Sequence, residues 1–222
     1  MNIMRIFGPS RIAIIGAGEF GKQAAHYILQ NDRNSRHHEI VGWYDDTISK
    51  GEIIAGYPVL GKIDSATDDF NSGKFEHLFI AIGYNHPDFK ESLINKHKGK
   101  IPLYNIISPE AYIDPTSVIE ENIFIYPGAI IDKETRLDNG VTVNLGSIIS
   151  HNSTIGACGF IAPGVTIAGF STVGKYSFVG AGATIIDNIT VCDNVRLGAG
   201  CVVTDDITSA GLYLGIPARK YK

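Results

Sequence analysis

Residues Ala111 to Asp206 read in sixes without a break: AYIDPT, SVIEEN, IFIYPG, AIIDKE, TRLDNG, VTVNLG, SIISHN, STIGAC, GFIAPG, VTIAGF, STVGKY, SFVGAG, ATIIDN, ITVCDN, VRLGAG, CVVTDD. The third place is always Ile, Val or Leu, from Ile113 and Ile119 through to Leu197 and Val203. The first place is usually small, as at Ala111, Ser117, Ala129, Ser147, Gly159, Ser171 and Ala183, which suits a tight corner. An α-helix, at 3.6 residues per turn, drifts off a strict period of six. Short strands hold it if each hexad makes one flat side and turns before the next, so the pattern implies a solenoid. Burying one aliphatic side chain is worth about 1.5–3 kcal/mol. Ordering each backbone residue costs about 1–2 kcal/mol. One aliphatic in each hexad therefore cannot hold the solenoid alone. Ladder hydrogen bonds, other inward positions and subunit contacts must supply the rest.

The chain has 222 residues, which allows one or two domains. With 44% hydrophobic and 19% charged residues, it has the composition of a globular protein. A net charge of −4 without a basic run argues against a nucleic-acid polymer as partner. No apolar stretch is long enough to span a bilayer. The start, MNIMRIFGPSRIAIIGAG, lacks a cleavable signal pattern, so the expected location is cytoplasmic. Cys158, Cys192 and Cys201 are odd in number and spaced for neither disulfides nor zinc. Cys201 fills a small-residue place, which makes it a packing residue.

Residues 1–107 have a different rhythm. Arg11–Ile15 reads as a buried strand. It feeds Gly16-Ala17-Gly18-Glu19-Phe20-Gly21, a G-x-G-x-x-G turn opening a helix that runs to about Gln30. Glu39–Tyr44 reads as a second strand ending in Asp45-Asp46, with a short strand near Tyr57–Leu60. His77–Ile82 is a further strand ending in Gly83-Tyr84-Asn85, followed by a helix near Asp88–His97 and a strand near Leu103–Ile107. Alternating strands and helices imply a parallel sheet with ligands at the strand C-terminal ends. Backbone N–H groups of the glycine turn and the helix N-terminus can face phosphate oxygens. The acidic pair can accept hydrogen bonds from ribose hydroxyls or a base edge. The whole stretch is short for a two-halved dinucleotide fold, so one nucleotide fits better than NAD. The plain alternative is that these glycines merely close a strand–helix turn.

The hexads resemble those of the hexapeptide-repeat acyltransferases, in which three hexads make one triangular coil of a left-handed parallel β-helix. GAGEFG, DD, FIAIGYN and then hexads together resemble the nucleotide-sugar N-acetyltransferases, relatives of the sialic-acid O-acetyltransferases. The resemblance implies a Rossmann-like nucleotide-sugar domain (1–107), an acetyl-CoA-binding β-helix (108–206) and a tail (207–222) with the family's GIPARK ending. It also implies a homotrimer with acetyl-CoA as cosubstrate between subunits and no metal. A UDP- or dTDP-linked 4-amino-4-deoxy sugar is the implied acceptor, in lipopolysaccharide or related surface-glycan synthesis.

By the same resemblance, Gly18, Glu19, Phe20, Asp45, Asp46 and Gly83 hold the nucleotide sugar, while Gly169, Ala181 and Ala199 meet acetyl-CoA. His151 falls on the general base, and neutral imidazole near pH 7 suits removal of an amine proton. The family usually has Asp or Glu next; here it is Asn152, so the base is weaker or supported by another group. A second histidine facing the thioester falls on Phe160. With three hexads to a coil, Gly169 lies one coil beyond His151, where a missing side chain would let acetyl-CoA approach. A lone histidine in a repeat is more often a surface residue; His26, His97 and the pair His37-His38 read as surface, and His86, following GYN at a strand end, reads as surface or as a nucleotide contact. Tyr84 either stacks on a base or fills an interface. A carbonic-anhydrase-like relative would need three zinc histidines, and only His151 lies in the repeats. Two further alternatives are a sugar O-acetyltransferase on the same fold and a non-catalytic nucleotide-binding scaffold.

Overall fold

The computed structural model describes residues 10–30 and 38–221. His37 and the first nine residues lie outside it. The chain forms two compact units. One holds the chain up to Ala81 together with His97–Tyr104, and the other holds Ile82–Lys96 and Asn105–Lys222.

The first unit is α/β. Strand β1 (Ser10–Ile15) leads to helix α1 (Glu19–Gln30) and strand β2 (His38–Tyr44). Short strands β3 (Ile53–Ile54) and β4 (Tyr57–Gly61), helix α2 (Ala66–Asn71) and strand β5 (His77–Ile80) follow. The sheet order is β3-β4-β2-β1-β5, parallel except for the β3–β4 hairpin. Ile12 to Ile15 are wholly buried, as a central strand covered on both faces requires. Trp43 and Tyr44 are also buried, and each polar tip finds a partner. Trp43 Nε1 donates to the Ile54 carbonyl at 2.9 Å, and the Tyr44 hydroxyl donates to Asp69 at 2.8 Å. The hairpin strand β3 and helix α2 carry too little periodicity to be read from the sequence.

The second unit is a parallel β-helix. Two-residue strands recur once in each hexad and pair in register with the strand three hexads on, as in Tyr112↔Ile130↔Ile148↔Thr166↔Thr184↔Val202. The strands sort into three sheets, one per side of the coil. The third-place aliphatics from Ile125 to Val203 are buried in one core, with Ile113 and Ile119 partly buried at its N-terminal end. Ile106–Ile107 already pair with Phe124–Ile125, so the first side of the helix precedes Ala111. In the tail, Gly211–Leu214 pairs parallel to Val195–Leu197 and antiparallel to Arg219–Lys220.

Corners are made by the sixth residue of each hexad. From Asn122 to Gly200 every such residue has a left-handed φ, between 54° and 73°. Glycine and asparagine, which tolerate this region, fill most of these places. The exceptions are Glu134, Cys158, Phe170 and Tyr176. Two of them hold helix α3 (Pro87–His97). The Tyr176 hydroxyl donates to Glu91, and Cys158 lies beside Gly140, where a Cβ would strike Ile94 at 2.8 Å and the Cys158 sulfur at 2.9 Å. Lys90, buried in the same contact, donates to the Gly140 carbonyl at 2.7 Å. Burial pulls its ammonium down to about 8.

The first-place serines are more than small. Ser171 Oγ donates to the Ile186 carbonyl at 2.9 Å and accepts the Ile189 N–H at 3.3 Å, joining its coil to the next. Ser147, Ser153 and Ser177 make the same pair of bonds. A buried polar group left without a partner costs about 1–3 kcal/mol. Ser171→Ala strips the hydroxyl from two buried backbone groups and is expected to destabilise the protein by about that amount, read as a lowered denaturant midpoint.

Candidate active site

In the first unit the chain passes from β1 to β2 on one side and later returns to β5 on the other. That reversal is where an open α/β sheet leaves a crevice at its strand C-terminal ends. The glycine turn stands there, and its three glycines differ in what they do. Gly16 has φ 95° and makes the turn. A Cβ on Gly21 would lie 2.0 Å from the Gly16 carbonyl oxygen, so Gly21 allows α1 to close on the strand. Gly18 has nothing within 4 Å of such a Cβ, so no protein neighbour demands a glycine there. Its open side suits close approach of a phosphate to the backbone. Glu19, in the first turn of α1, is exposed and pairs with Lys22 at 2.7 Å. Phe20 is half-buried.

The acidic pair is engaged within the protein. Asp45 Oδ2 accepts the Ala17 N–H at 3.0 Å, and Oδ1 accepts the Thr47 N–H at 2.8 Å and its hydroxyl at 2.6 Å. Burial works against the charge. The Thr47 and Ala17 donors and the Lys62 ammonium outweigh it and hold the carboxyl below its ordinary range. Asp45 therefore braces the glycine turn from the end of β2. Asp46 Oδ1 accepts the Ile63 N–H at 2.9 Å, and its carbonyl accepts from Lys62. Gly83 belongs to the second unit. It accepts the His86 N–H at 3.1 Å in the turn before α3, and its side-chain direction is open.

In the second unit His151 and Asn152 follow the strand Ile148–Ile149, and Gly169 and Phe170 follow the paired strand Thr166–Ile167. His151 Nδ1 lies 3.0 Å from Asn152 Oδ1, and Asn152 Nδ2 donates to Glu134 Oε2. The His151 ring meets Phe170 edge to face at 5.1 Å. A Cβ on Gly169 would come within 2.6 Å of His151 Cε1 and 2.8 Å of Nε2. The space left by the missing side chain is therefore filled by the imidazole. Gly169 seats the ring, where the sequence suggested only room for a ligand.

The other residues assigned to acetyl-CoA lie on another corner. Ala181 and Ala199, both exposed, follow Phe178–Val179 and Val195–Leu197 in the eight-stranded sheet, whereas His151 and Gly169 border the six-stranded one. Phe160 stacks on Phe178 at 5.5 Å, and Tyr84 tilts over both at 4.9 and 4.8 Å. Arg196 covers Phe178 at 4.9 Å. Tyr84 thus fills a packed contact within this unit. Glu134 and Phe170 drew no notice in the sequence. The signal that marks them is a bulky residue at a corner place. Among the described residues, no group of three or more His, Cys, Asp or Glu is placed to hold a metal, and no helix is long and apolar enough to cross a membrane.

Residues 11–96 match the PglD N-terminal domain family, and residues 170–205 match the bacterial transferase hexapeptide repeats. The acetyltransferase domain of PglB from Neisseria gonorrhoeae superposes with a TM-score of 0.83 at 26% identity, over 95% of this chain and 99% of that one. Its complex with acetyl coenzyme A gives 0.82 at 28% identity, over 96% and 100%. PerB from Caulobacter crescentus, in complex with CoA and GDP-perosamine, gives 0.82 at 25% identity, over 96% and 97%. A comparison with curated proteins found no match. The chain is an acyltransferase, and part of its repeat region matches the bacterial transferase hexapeptide repeats. Within that class it is similar to the nucleotide-amino-sugar N-acetyltransferases, as its motifs implied.

The Asp45 brace has a definite pH signature. A carboxyl whose folded pKa is depressed adds stability above its unfolded value and loses it as pH falls through the folded value. Asp45→Asn is expected to lower the denaturant midpoint most at neutral pH. The gap from wild type should close in acid, below the ordinary carboxylate range. A gap that stays constant down to acid pH would refute the brace.

Proposed function

We propose that this protein transfers the acetyl group of acetyl-CoA to the amino group of a nucleotide-linked 4-amino-4-deoxy sugar, with His151 as general base. The observation that carries this reading is the seating of the His151 ring against Gly169, with a side-chain partner on Nδ1. Similarity to two acetyltransferases over nearly the whole chain supports it. So does a histidine replaced by alanine and by asparagine in two further structures of the perosamine enzyme. The α/β unit is read as a Rossmann-like nucleotide-sugar domain and the β-helix as left-handed. Gly18 and the α1 N-terminus receive the diphosphate, with Glu19, Phe20 and Asp46 bordering it and Asp45 holding the turn.

In the reaction the amine nitrogen bonds to the thioester carbon and the C–S bond breaks. His151 takes the amine proton and returns one to the departing sulfur. A backbone N–H steadies the oxyanion of the tetrahedral intermediate, in the manner of an oxyanion hole. The products are the acetamido sugar and CoA.

The test is thiol release from acetyl-CoA against UDP-, dTDP- and GDP-linked 4-amino sugars, the last added because PerB is seen with GDP-perosamine. Turnover with an amino sugar is expected. Acetylation of hydroxy sugars alone would favour O-acetyl transfer, and no turnover on any acceptor would leave the scaffold reading. General-base assistance is worth about 10²–10⁴-fold, so His151→Ala is expected to lower kcat by that factor with little change in acetyl-CoA KM.

The two corners carrying the acetyl-CoA residues suggest a shared site. One ligand touching both Gly169 and the pair Ala181 and Ala199 would lie between two copies of the chain, and cyclic closure of a three-sided coil gives a trimer. Light scattering is expected to give three times the 24.0 kDa chain mass. A monomer at assay concentration would overturn the shared site.

A further inference from the structure

Four repeat corners carry a residue other than glycine or asparagine in the left-handed region, at a cost of roughly 1–2 kcal/mol each. Cys158 and Tyr176 bear on helix α3. The other two, Glu134 and Phe170, stand one coil before and one coil after Asn152. Backbone strain kept where glycine would serve points to work done by the side chain.

The chemistry of the contact says what that work is. An ionised carboxylate accepts hydrogen bonds and donates none. Glu134 Oε2 therefore receives its bond from the Asn152 amide nitrogen, and this orientation turns the amide oxygen toward His151 Nδ1, 3.0 Å away. An amide oxygen also only accepts, so Nδ1 must carry the hydrogen. Neutral imidazole has one N–H, and Nε2 is left with its lone pair. The flipped amide would set its oxygen against the Glu134 carboxylate. It would also offer a donor to Nδ1, which selects the Nε2–H tautomer, and in that tautomer Nε2 cannot take a proton.

We propose that Glu134 is a positioning residue for the base: it locks the Asn152 amide and through it holds His151 as the Nδ1–H tautomer, with Nε2 free to accept the amine proton. The inference rests on His151 being the base of the reaction proposed above. No proton travels along the relay. When Nε2 is protonated, Nδ1–H keeps its bond to the amide, and the carboxylate stabilises the positive ring through the amide dipole. The usual carboxylate beside the histidine is here displaced by three hexads of sequence and one coil in space, and Asn152 spans the gap. It follows that Asn152→Asp alone does not restore the family arrangement, because it would set two carboxylates against each other.

Glu134→Gly separates catalysis from structure, since glycine is the residue other corners use. The variant is expected to keep or raise the melting temperature, yet lower kcat about tenfold or more, a part of the general-base contribution, with acetyl-CoA KM unchanged. Long-range ¹⁵N correlations of the histidine rings, with the His151 signals assigned by their loss in His151→Asn, should show Nδ1–H in the wild type. In Glu134→Gly they should show a mixture or the Nε2–H form. The double variant Glu134→Gln with Asn152→Asp puts a carboxylate directly on Nδ1 and an amide donor behind it. It is expected to recover kcat above either single variant. An unshifted tautomer, an undiminished kcat in Glu134→Gly, or no recovery in the double variant overturns the proposal. A wild type that turns over no amino sugar would sink the proposed function instead, and the tautomer measurement would still decide the role of Glu134.

Discussion

Everything in the second unit depends on one backbone constraint, a left-handed residue at every sixth position. That residue lets a two-residue strand end, turn and begin the next side without spending more chain. Three such turns return the chain to its starting side, as the strand pairing shows. Side chains three hexads apart then form columns spaced by about 4.8 Å. The aliphatic core, the serine stitches and the contact between His151 and Gly169 are all consequences of that return. A corner that missed its place by a single position would point the next aliphatic outward.

The corner places also show how a repeat accommodates a side chain that has a partner elsewhere in the fold. Where nothing but the turn is needed, glycine or asparagine fills the place. Where a side chain is needed, a strained residue replaces them, as at Glu134 and Phe170 around the histidine and at Cys158 and Tyr176 against helix α3. The surrounding ladder of backbone bonds holds these residues in a conformation they would not adopt alone.

Much of this was legible in the sequence. The third-place aliphatics gave the solenoid because burial there follows directly from residue type. The strands Ser10–Ile15, His38–Tyr44 and His77–Ile80 are visible as apolar runs, and helices α1 and α3 as the segments that follow the first and the third. The corner was harder to read, since a φ angle is written in several residue types at once. The serines looked merely small because a hydroxyl's partners lie in later hexads, as Ile186 and Ile189 do for Ser171. Asp45 read as a ligand carboxylate because a strand-end aspartate suits ribose as well as it suits a backbone N–H. Only the fold shows that Ala17 and Thr47 already occupy it. Gly169 was recognised as a gap, but its occupant, the His151 ring, depends on a column that only the register reveals.

The fixed return after three hexads also bears on how the chain folds. Each coil closes a loop of the same length, so each addition meets the same entropic cost, about (3/2)RT ln n in a flexible chain. Contacts that are remote for a globular sheet become a series of equal, short-range steps, and stability accumulates between nearest neighbours, as in an array of repeats. A β-helix of this kind can begin at any well-formed coil and grow by zipping outward. Its N-terminal coil, where Ile113 and Ile119 are only partly buried, then has the weakest hold. Glu134, in the second coil, borders that end through its backbone bond to the Thr116 hydroxyl, while His151 stands one coil further in.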